Sequence, residues 1–452
     1  MRVLSVICCM ALIVLSLTSS ASERLQSAQK LLYQQASVLA LVDKSDKFNH
    51  HKKALLESRL SKEQLINIES DIAQFWLQRQ IPIRNKELSQ TNDPFIRAMA
   101  IEPRLAGYLE LQNRIRHLQW LAEQDWWQPI ELEYLVRPNQ DDPIVSEVLR
   151  RLWLLGDAKT ATSESTRLSP FIVDAIKRFQ RRHGLKADGI IGPETLKWIN
   201  LPPESRALIL AKNFVTRAEF MAQRGQRFLV INVPAFEMEL FNNGKVELVS
   251  RVIVGKPYRP TPLLSSSISN VVINPSWRVP KKILYNDLLP QVRKNGNYIA
   301  ERNFDVYDRN NKLVVRTPEQ WRDLAKGPFP FRFVQRPGSN NTLGRYKFYF
   351  PNEFSVYLHD TSEPKLFQRN NRALSSGCIR VENVEGLANW MAANLVKDKQ
   401  TWVDRHADRK RTQWFALNST LDVHLVYWTA WIDDSNQVQY RNDIYQMQAG
   451  SS

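Results

Sequence analysis

The sequence predicts a multidomain α+β protein with a helical N-terminal half and a β-rich C-terminal half. Its 452 residues are roughly three times the ~150 residues of a typical domain. Residues 22–140 are rich in Leu, Gln, Arg and Glu with almost no glycine, whereas β-branched and aromatic runs begin near residue 227. The predicted segments are a signal peptide (1–21), a helical scaffold (22–143), a three-helix domain (144–203), a linker helix (204–226), a β-rich domain (227–404) with an insertion (about 281–333), and a C-terminal β extension (405–452).

Charge and cysteine content narrow the classes of function. The chain carries 62 Lys and Arg against 46 Asp and Glu, a formal net charge of +16. Such a charge favours polyanionic surroundings, such as nucleic acid, acidic lipid or a cell-wall polymer. The three cysteines are too few for a disulfide framework or a four-cysteine zinc site.

The N-terminus resembles a secretory signal peptide. Arg2 precedes an apolar run over residues 3–17, and small residues follow up to Ala21. The run is short for a membrane helix, which needs about 20 apolar residues, so an uncleaved anchor is the weaker alternative. Cleavage after Ala21 removes Cys8 and Cys9. The prediction is therefore an exported protein with one cysteine, Cys378, with no later membrane span and no nucleic-acid partner.

The first half of the chain is predicted to be helical. Apolar residues recur at helical spacing over 54–65 and 105–121. The segment 94–103, which begins and ends with proline, is expected to be a connection between helices. A long helix is expected over 205–224, before the composition becomes strand-like.

Residues 144–203 show a more specific pattern of three helices. Gly189 and Gly192 allow a tight loop, and Pro193 suits the first turn of the third helix. The run resembles the peptidoglycan-binding domain through the following residues: Phe179-Gln180, Gly184-Leu185, Asp188-Gly189, Gly192-Pro193 and Thr195. The resemblance implies binding to peptidoglycan, and a three-helix spacer that binds nothing is the alternative.

The β pattern begins with the run Arg227–Val233 and continues through a hairpin turn at Asn242-Asn243-Gly244-Lys245. Further strands are expected over 246–254, 269–275, 347–350 and 355–359. Helical signals over 283–293 and around Trp321 interrupt this pattern, which predicts an insertion within the β-rich domain.

One cysteine and one histidine carry the predicted chemistry. Cysteine is a strong nucleophile as thiolate, and a nearby imidazole can take its proton. Gly377 frees the backbone to turn, so that the amides of Ser376, Gly377 and Cys378 can face a developing oxyanion. His359 ends an apolar run 19 residues earlier, which suits a neighbouring strand. A small buried residue is the alternative for a lone cysteine, but its Ser, Gly and Arg neighbours argue against it.

His359 and the run Ser375-Ser376-Gly377-Cys378-Ile379-Arg380 resemble the signature of the L,D-transpeptidase catalytic domain of YkuD type. With the helical region and the insertion, the chain resembles the large periplasmic murein L,D-transpeptidases of Gram-negative bacteria. The resemblance implies a Cys378 nucleophile and a His359 base oriented by a backbone carbonyl. It also implies a capping role for the insertion.

Other site residues follow from this resemblance. Arg380 is expected to hold either the loop or a substrate carboxylate, and the remaining predicted substrate-binding residues are Tyr357, Asn341 and Ser375. Asp360 replaces the glycine of the common His-Gly-Thr form, and this leaves open whether its side chain contributes. Ser376 stands where many members carry histidine.

The implied activity is 3→3 crosslinking of peptidoglycan. Cys378 is expected to attack the meso-diaminopimelate carbonyl of a tetrapeptide stem and release D-alanine, before an amine of another stem takes the acyl group. The resemblance implies no metal or cofactor, peptidoglycan stems and glycan strands as partners, and contact with other cell-wall synthesis enzymes. Open alternatives are an L,D-carboxypeptidase, transfer to a lipoprotein or a D-amino acid, and a non-catalytic wall-binding scaffold.

Overall fold

The structure is a computed structural model that describes residues 22–57, 60–124, 126–162 and 166–448. The predicted signal peptide, with Cys8 and Cys9, lies outside the described residues. The chain divides into two compact units. One comprises residues up to Arg224 together with Thr429–Asn442, and the other comprises Gly225–Trp428 together with residues from Asp443 onward. None of the helices in the described ranges has the length and apolar character needed to cross a membrane.

The first unit is mostly helical, as predicted. Its helices are α1 (residues 22–39), α2 (Lys47–Leu56), α3 (Lys62–Gln78), α4 (Asn85–Gln90), α5 (Pro94–Ala100), α6 (Tyr108–Ala122), α7 (Ile144–Leu154), α8 (Pro170–Arg182), α9 (Pro193–Asn200) and α10 (Pro203–Ala222). A short antiparallel hairpin of Ala430–Ile432 and Val438–Tyr440 completes the unit. Its apolar side chains form one continuous core.

The prediction of a connection over 94–103 was wrong, because α5 occupies Pro94–Ala100. The Asp93 side chain accepts hydrogen bonds from the amides of Phe95 at 2.9 Å and Ile96 at 3.2 Å. Pro94 has no amide hydrogen to lose at the first helical position. The proline therefore starts a helix here, where it was expected to interrupt one.

The three helices predicted over 144–203 are confirmed as α7, α8 and α9. Gln180 is buried, and its side-chain amide donates to Asp188, the Ile190 carbonyl and Thr195. Gly189 has a φ of +75°, and an added Cβ there would lie 2.6 Å from Val173. These residues of the motif thus hold the loop between α8 and α9.

The second unit is built around a nine-stranded sheet. The strands of this unit are β1 (Arg227–Asn232), β2 (Glu237–Asn242), β3 (Lys245–Gly255), β4 (Leu264–Ile273), β5 (Trp277–Arg278), β6 (Phe304–Tyr307), β7 (Arg332–Gln335), β8 (Tyr346–Tyr349), β9 (Leu358–His359), β10 (Ala373–Ser375), β11 (Ile379–Val381) and β12 (Gln413–Val426). The sheet order is β10-β3-β11-β9-β8-β4-β12-β1-β2, and β2 also pairs with β3. The predicted hairpin turn joins β2 to β3, with positive φ at Asn243 and Gly244.

The C-terminal part of the chain enters this sheet. β12 is parallel to β1 and antiparallel to β4, so it lies between them. Its apolar residues Leu421, Val423 and Leu425 belong to the core of the unit. A division at residue 404 would therefore remove a central strand, because part of the predicted C-terminal β extension (405–452) belongs to the sheet.

The insertion, which is called the cap below, comprises residues 277–343 and has a core of its own. The helices of the second unit are α11 (Lys281–Ile283), α12 (Leu289–Lys294), α13 (Tyr298–Glu301), α14 (Pro318–Leu324), α15 (Val384–Leu395) and α16 (Lys399–Ala407). A π-helical turn, Leu284–Leu288, joins α11 to α12. Strands β5, β7 and β6 form a separate sheet, and the cap core extends from Trp277 to Leu343. The cap is thus wider than the predicted 281–333, because the strands that close it flank the helices.

Candidate active site

Neighbouring strands bring the predicted catalytic residues to one face of the sheet. β9 lies between β8 and β11, where His359 pairs with Lys347 on one side and Arg380 on the other. Side chains alternate along a strand, so Tyr357 shares the face of His359. By the same alternation Cys378 shares the face of Arg380. The residues between them point into the core: Phe348, Leu358 and Ile379.

His359 is held by the backbone of the next residue. Its Nδ1 lies 2.5 Å from the carbonyl oxygen of Asp360. A carbonyl only accepts hydrogen bonds, so Nδ1 carries the hydrogen and Nε2 keeps a lone pair. Burial, followed by the nearby charge of Arg380, lowers the pKa of His359 to about 3. The imidazole is therefore neutral at neutral pH and available as a base.

The Asp360 side chain serves the backbone rather than the imidazole. Its carboxylate accepts hydrogen bonds from the amides of Arg345 and Thr361, both at 2.7 Å. An added Cβ at Gly344 would lie 2.3 Å from this carboxylate. Burial raises the pKa of Asp360. The carbonyl of Asp360, and not its carboxylate, therefore orients His359.

Cys378 is half-buried and forms no disulfide. Burial raises the pKa of its thiol, while the amide of Tyr357, the charge of Lys347, the Tyr357 hydroxyl and the charge of Arg380 act in the opposite direction. Burial therefore disfavours the thiolate in the resting protein. The same surroundings supply the hydrogen bonds and positive charge that stabilise a thiolate once it forms.

The loop before Cys378 is fixed by hydroxyl groups. Ser375 Oγ donates to the Cys378 carbonyl at 2.6 Å and accepts from the Gly377 amide at 3.1 Å. Thr261 Oγ1 donates to the Gly377 carbonyl at 2.8 Å. Gly377 has a φ of +117°, which side chains disfavour. Ser375 and Gly377, predicted to bind substrate and to stabilise an oxyanion, are thus engaged within the loop.

Two backbone amides of this loop remain for an oxyanion. Over the part of the chain that is described, no hydrogen bond engages the amide of Ser376 or that of Cys378. The Ser376 side chain is exposed. These two amides, rather than that of Gly377, have a free donor beside the sulfur.

Tyr357 and Arg380 line the site. The Tyr357 hydroxyl contacts Cys378 and the indole of Trp277 from the cap, and the ring lies 3.9 Å from Lys347 Nζ. Arg380 Nη1 pairs with Glu363 at 3.1 Å. Arg380 therefore holds the loop after β9, which is one of the two roles predicted for it.

Asn341 does not face this site. It is 1% exposed, and its side-chain amide donates to the carbonyls of Pro275 and Arg336 while its oxygen accepts from the Leu343 amide. The prediction of a substrate contact is not supported, because these bonds to the backbone engage both ends of the side chain.

The comparisons with known proteins agree with this geometry. Residues 226–404 match the L,D-transpeptidase catalytic domain (YkuD), and residues 141–199 match the putative peptidoglycan binding domain.

The C-terminal half of this chain is therefore similar to the YkuD L,D-transpeptidase catalytic domain.

A putative L,D-transpeptidase of Haemophilus influenzae is 37% identical to this chain over 221 residues. The match covers 48% of this chain and 44% of that protein, so it spans less than half the length of the relative. An L,D-transpeptidase structure from Xylanimonas cellulosilytica has 13% identity, covers 66% of this chain and 100% of its own, and gives a TM-score of 0.20. One from Stackebrandtia nassauensis has 12% identity, coverage of 64% and 97%, and a TM-score of 0.23. Both scores lie well below 0.5, so the likeness of this chain to L,D-transpeptidases rests on the sequence matches.

The candidate site also contains residues that the sequence analysis did not name. Lys347 faces Cys378, and a lysine between the apolar Tyr346 and Phe348 was a usable signal for it. Tyr445 donates to the Gly255 carbonyl at 2.7 Å and accepts from the Thr261 amide at 3.1 Å. No sequence pattern indicates that contact, which joins positions 184 residues apart.

The described residues contain no group of three His, Cys, Asp or Glu side chains placed to share a metal ion.

Proposed function

We propose that this protein is a cysteine-dependent L,D-transpeptidase that forms 3→3 crosslinks in peptidoglycan. The observation that carries the proposal is the neutral His359, whose Nδ1 hydrogen is held by the Asp360 carbonyl. His359 lies on the strand next to β11, which begins directly after Cys378. A neutral imidazole with a free Nε2 is the form that a general base requires. The match of residues 226–404 to the catalytic family supports the same activity.

In the first half-reaction, Cys378 acts as the nucleophile. Its sulfur attacks the carbonyl of the L-centre of meso-diaminopimelate in a tetrapeptide stem as the thiol proton moves to His359 Nε2. The carbonyl oxygen becomes an oxyanion that accepts hydrogen bonds from the amides of Ser376 and Cys378. When this intermediate collapses, the bond to D-alanine breaks and the imidazolium returns the proton to the leaving amine. A thioester to Cys378 remains.

In the second half-reaction, the amine of a second stem attacks the thioester. His359 takes a proton from that amine and returns it to the departing sulfur, so the free thiol is restored. Lys347 and Arg380 lie near the sulfur and stabilise the thiolate as it leaves. The products are the 3→3 peptide bond and the original enzyme.

The remaining parts of the chain fit a cell-wall enzyme. We propose that residues 141–199 bind peptidoglycan, since they match a putative peptidoglycan binding domain. The basic balance of the chain, +16, suits an anionic envelope. Export to the periplasm through a cleaved segment 1–21, association with other cell-wall enzymes and acylation of Cys378 by carbapenems belong to the same proposal.

The test is incubation of the purified protein with disaccharide-tetrapeptides, followed by mass spectrometry. We expect a crosslinked dimer and free D-alanine from the native protein and neither from Cys378→Ala. Asp323→Asn, which changes an exposed cap carboxylate paired with Lys326, serves as the control and should retain activity. Release of D-alanine without formation of a dimer would show that the protein is a carboxypeptidase and not a crosslinking enzyme. Absence of both products would indicate a non-catalytic scaffold. Incubation of the native protein with a carbapenem is expected to give an adduct on Cys378. An unmodified protein mass would contradict the proposed acylation of Cys378 by carbapenems.

A further inference from the structure

The segment that follows β3 is fixed against the loop before Cys378. The Lys256 amide donates to the Ser375 carbonyl at 3.0 Å, and Thr261 Oγ1 donates to the Gly377 carbonyl at 2.8 Å. An added Cβ at Gly255 would lie 2.2 Å from the Arg259 carbonyl oxygen, so the backbone turns tightly over this glycine. Residues 256–261 therefore form a rigid wall of the active site.

Arg259 projects from this wall and joins the cap to the catalytic loop. Its Nη1 donates to Ser376 Oγ at 3.0 Å and to an Asp287 carboxylate oxygen at 2.6 Å. Its Nη2 lies 3.3 Å from the other oxygen of Asp287. Asp287 lies on the π-helical turn of the cap, Leu284–Leu288, a local geometry often found at functional sites. The guanidinium thus binds the Asp287 carboxylate in a bidentate manner. It also contacts Ser376, which lies two residues before Cys378 in the chain.

This ion pair is easily exchanged. The side chains of Arg259 and Asp287 are 22% and 38% exposed, so water reaches both partners and screens their attraction. A guanidinium that holds one carboxylate in this geometry is equally suited to another, because its planar donors match any carboxylate. In the proposed reaction the leaving D-alanine carries a free carboxylate, three covalent bonds from the attacked carbonyl carbon.

We propose that Arg259 recognises a carboxylate of the peptide stem next to the scissile bond, and that Asp287 of the cap occupies this position when substrate is absent. Substrate binding then exchanges one carboxylate for another on the same guanidinium and releases the cap from the catalytic loop. Arg259 sets specificity for a stem that ends in a free acid. The identity of the stem rests on the proposed function, whereas the recognition of a carboxylate beside Cys378 does not.

The first experiment tests that recognition without any peptidoglycan. Cys378 is alkylated in the full-length protein with iodoacetate or with iodoacetamide, and the modified peptide is quantified by mass spectrometry. The two reagents differ in one group, because iodoacetate carries a carboxylate where iodoacetamide carries a neutral amide. Asp287→Asn is expected to raise the ratio of the iodoacetate rate to the iodoacetamide rate, because the competing carboxylate is gone. Arg259→Gln is expected to lower this ratio about tenfold, with the iodoacetamide rate unchanged.

The control and the opposing result use the same measurement. Asp323→Asn removes another cap carboxylate that pairs with Lys326 and not with Arg259, and it should leave the ratio as in the native protein. An unchanged ratio in Arg259→Gln would overturn the proposal, since Lys347 and Arg380 would then be the residues that attract the carboxylate of iodoacetate. Equal slowing of both reagents would overturn it as well, because the loop itself would have moved.

The second experiment uses the tetrapeptide stem and its C-terminal amide as paired donors. The native protein should prefer the acid, Arg259→Gln should lose at least about tenfold in kcat/KM for the acid only, and Asp287→Asn should lower KM for the acid only. Equal use of acid and amide by the native protein would refute Arg259 as the specificity residue. If neither donor reacts while the alkylation ratio still shifts, the proposed transpeptidase function fails and carboxylate recognition at Arg259 stands.

Discussion

The charge states of Cys378 and His359 predict a general-base mechanism rather than a preformed ion pair. Burial raises the pKa of Cys378, which disfavours the thiolate at neutral pH. The pKa of His359 is lowered to about 3, so only about 1 imidazole in 10,000 is protonated at pH 7. A thiolate–imidazolium pair would require the opposite order of these two pKa values.

The perturbation is His359→Gln, measured by the pH dependence of Cys378 alkylation with iodoacetamide. In the native protein the rate should rise about tenfold per pH unit between pH 6 and 8, because only the thiolate reacts. His359→Gln should leave this profile unchanged, because a neutral imidazole contributes no charge to the thiol. The same variant should slow acylation by a tetrapeptide stem about 10²–10⁴-fold, the usual contribution of a general base.

The assay has a matched control and a clear contrary result. His50→Gln changes an exposed histidine of the helical unit and should alter neither rate. A native alkylation rate that is flat between pH 5 and 8 would show a thiolate already present at low pH. If that plateau then disappeared in His359→Gln, the imidazole would be its partner as a cation, and the reasoning from burial would be refuted.

Three further predictions concern the supports of the site and of the helical unit. Lys347→Met should move the midpoint of the alkylation profile to higher pH, because a positive charge near the thiolate is lost; an unmoved midpoint would exclude Lys347 from the site. Thr261→Val leaves the Gly377 carbonyl without its buried donor. Chemical denaturation should therefore show that the free energy of unfolding of the second unit falls by about 1–3 kcal/mol. An unchanged denaturation midpoint would argue against a stabilising role for this hydrogen bond. Asp157→Asn breaks a buried pair with Arg182 and should cost the helical unit about 3–5 kcal/mol, seen as a lower Tm; an unaltered Tm would show that this pair is dispensable.

Much of the secondary structure was predictable because its signals are local. The strands β1 to β3 and their hairpin follow from β-branched runs and an Asn-Gly turn, and the three helices over 144–203 follow from apolar spacing and a Gly-Pro start. The short helix α5 was missed because two prolines in ten residues indicated a break. The Asp93 side chain, which caps the first free amides, decided the outcome.

The sequence proposes the two residues of the candidate reacting pair, which the structure places on or beside neighbouring strands, but it does not predict their surroundings. Cys378 and His359 were identified by residue type, spacing and family resemblance. Asn341 was assigned to substrate from the same resemblance, yet the structure buries it under the cap strands. Lys347 was overlooked: its position between two buried aromatic residues was a local signal, but only the order of β8, β9 and β11 shows that the lysine lies near Cys378.

The sequence by itself therefore determined the classes of segment and proposed Cys378 and His359 as the reacting pair, since each of these inferences depends on residues close together in the chain. Only the tertiary structure decided that β12 lies inside the sheet, that the Asp360 carbonyl orients His359, and that Arg259 joins Ser376 to Asp287. The physical reason is that periodicity fixes which face of an element is buried, whereas hydrogen-bond partners depend on strand order and register. The Arg259–Ser376 contact spans 117 residues, and no local pattern encodes such a distance.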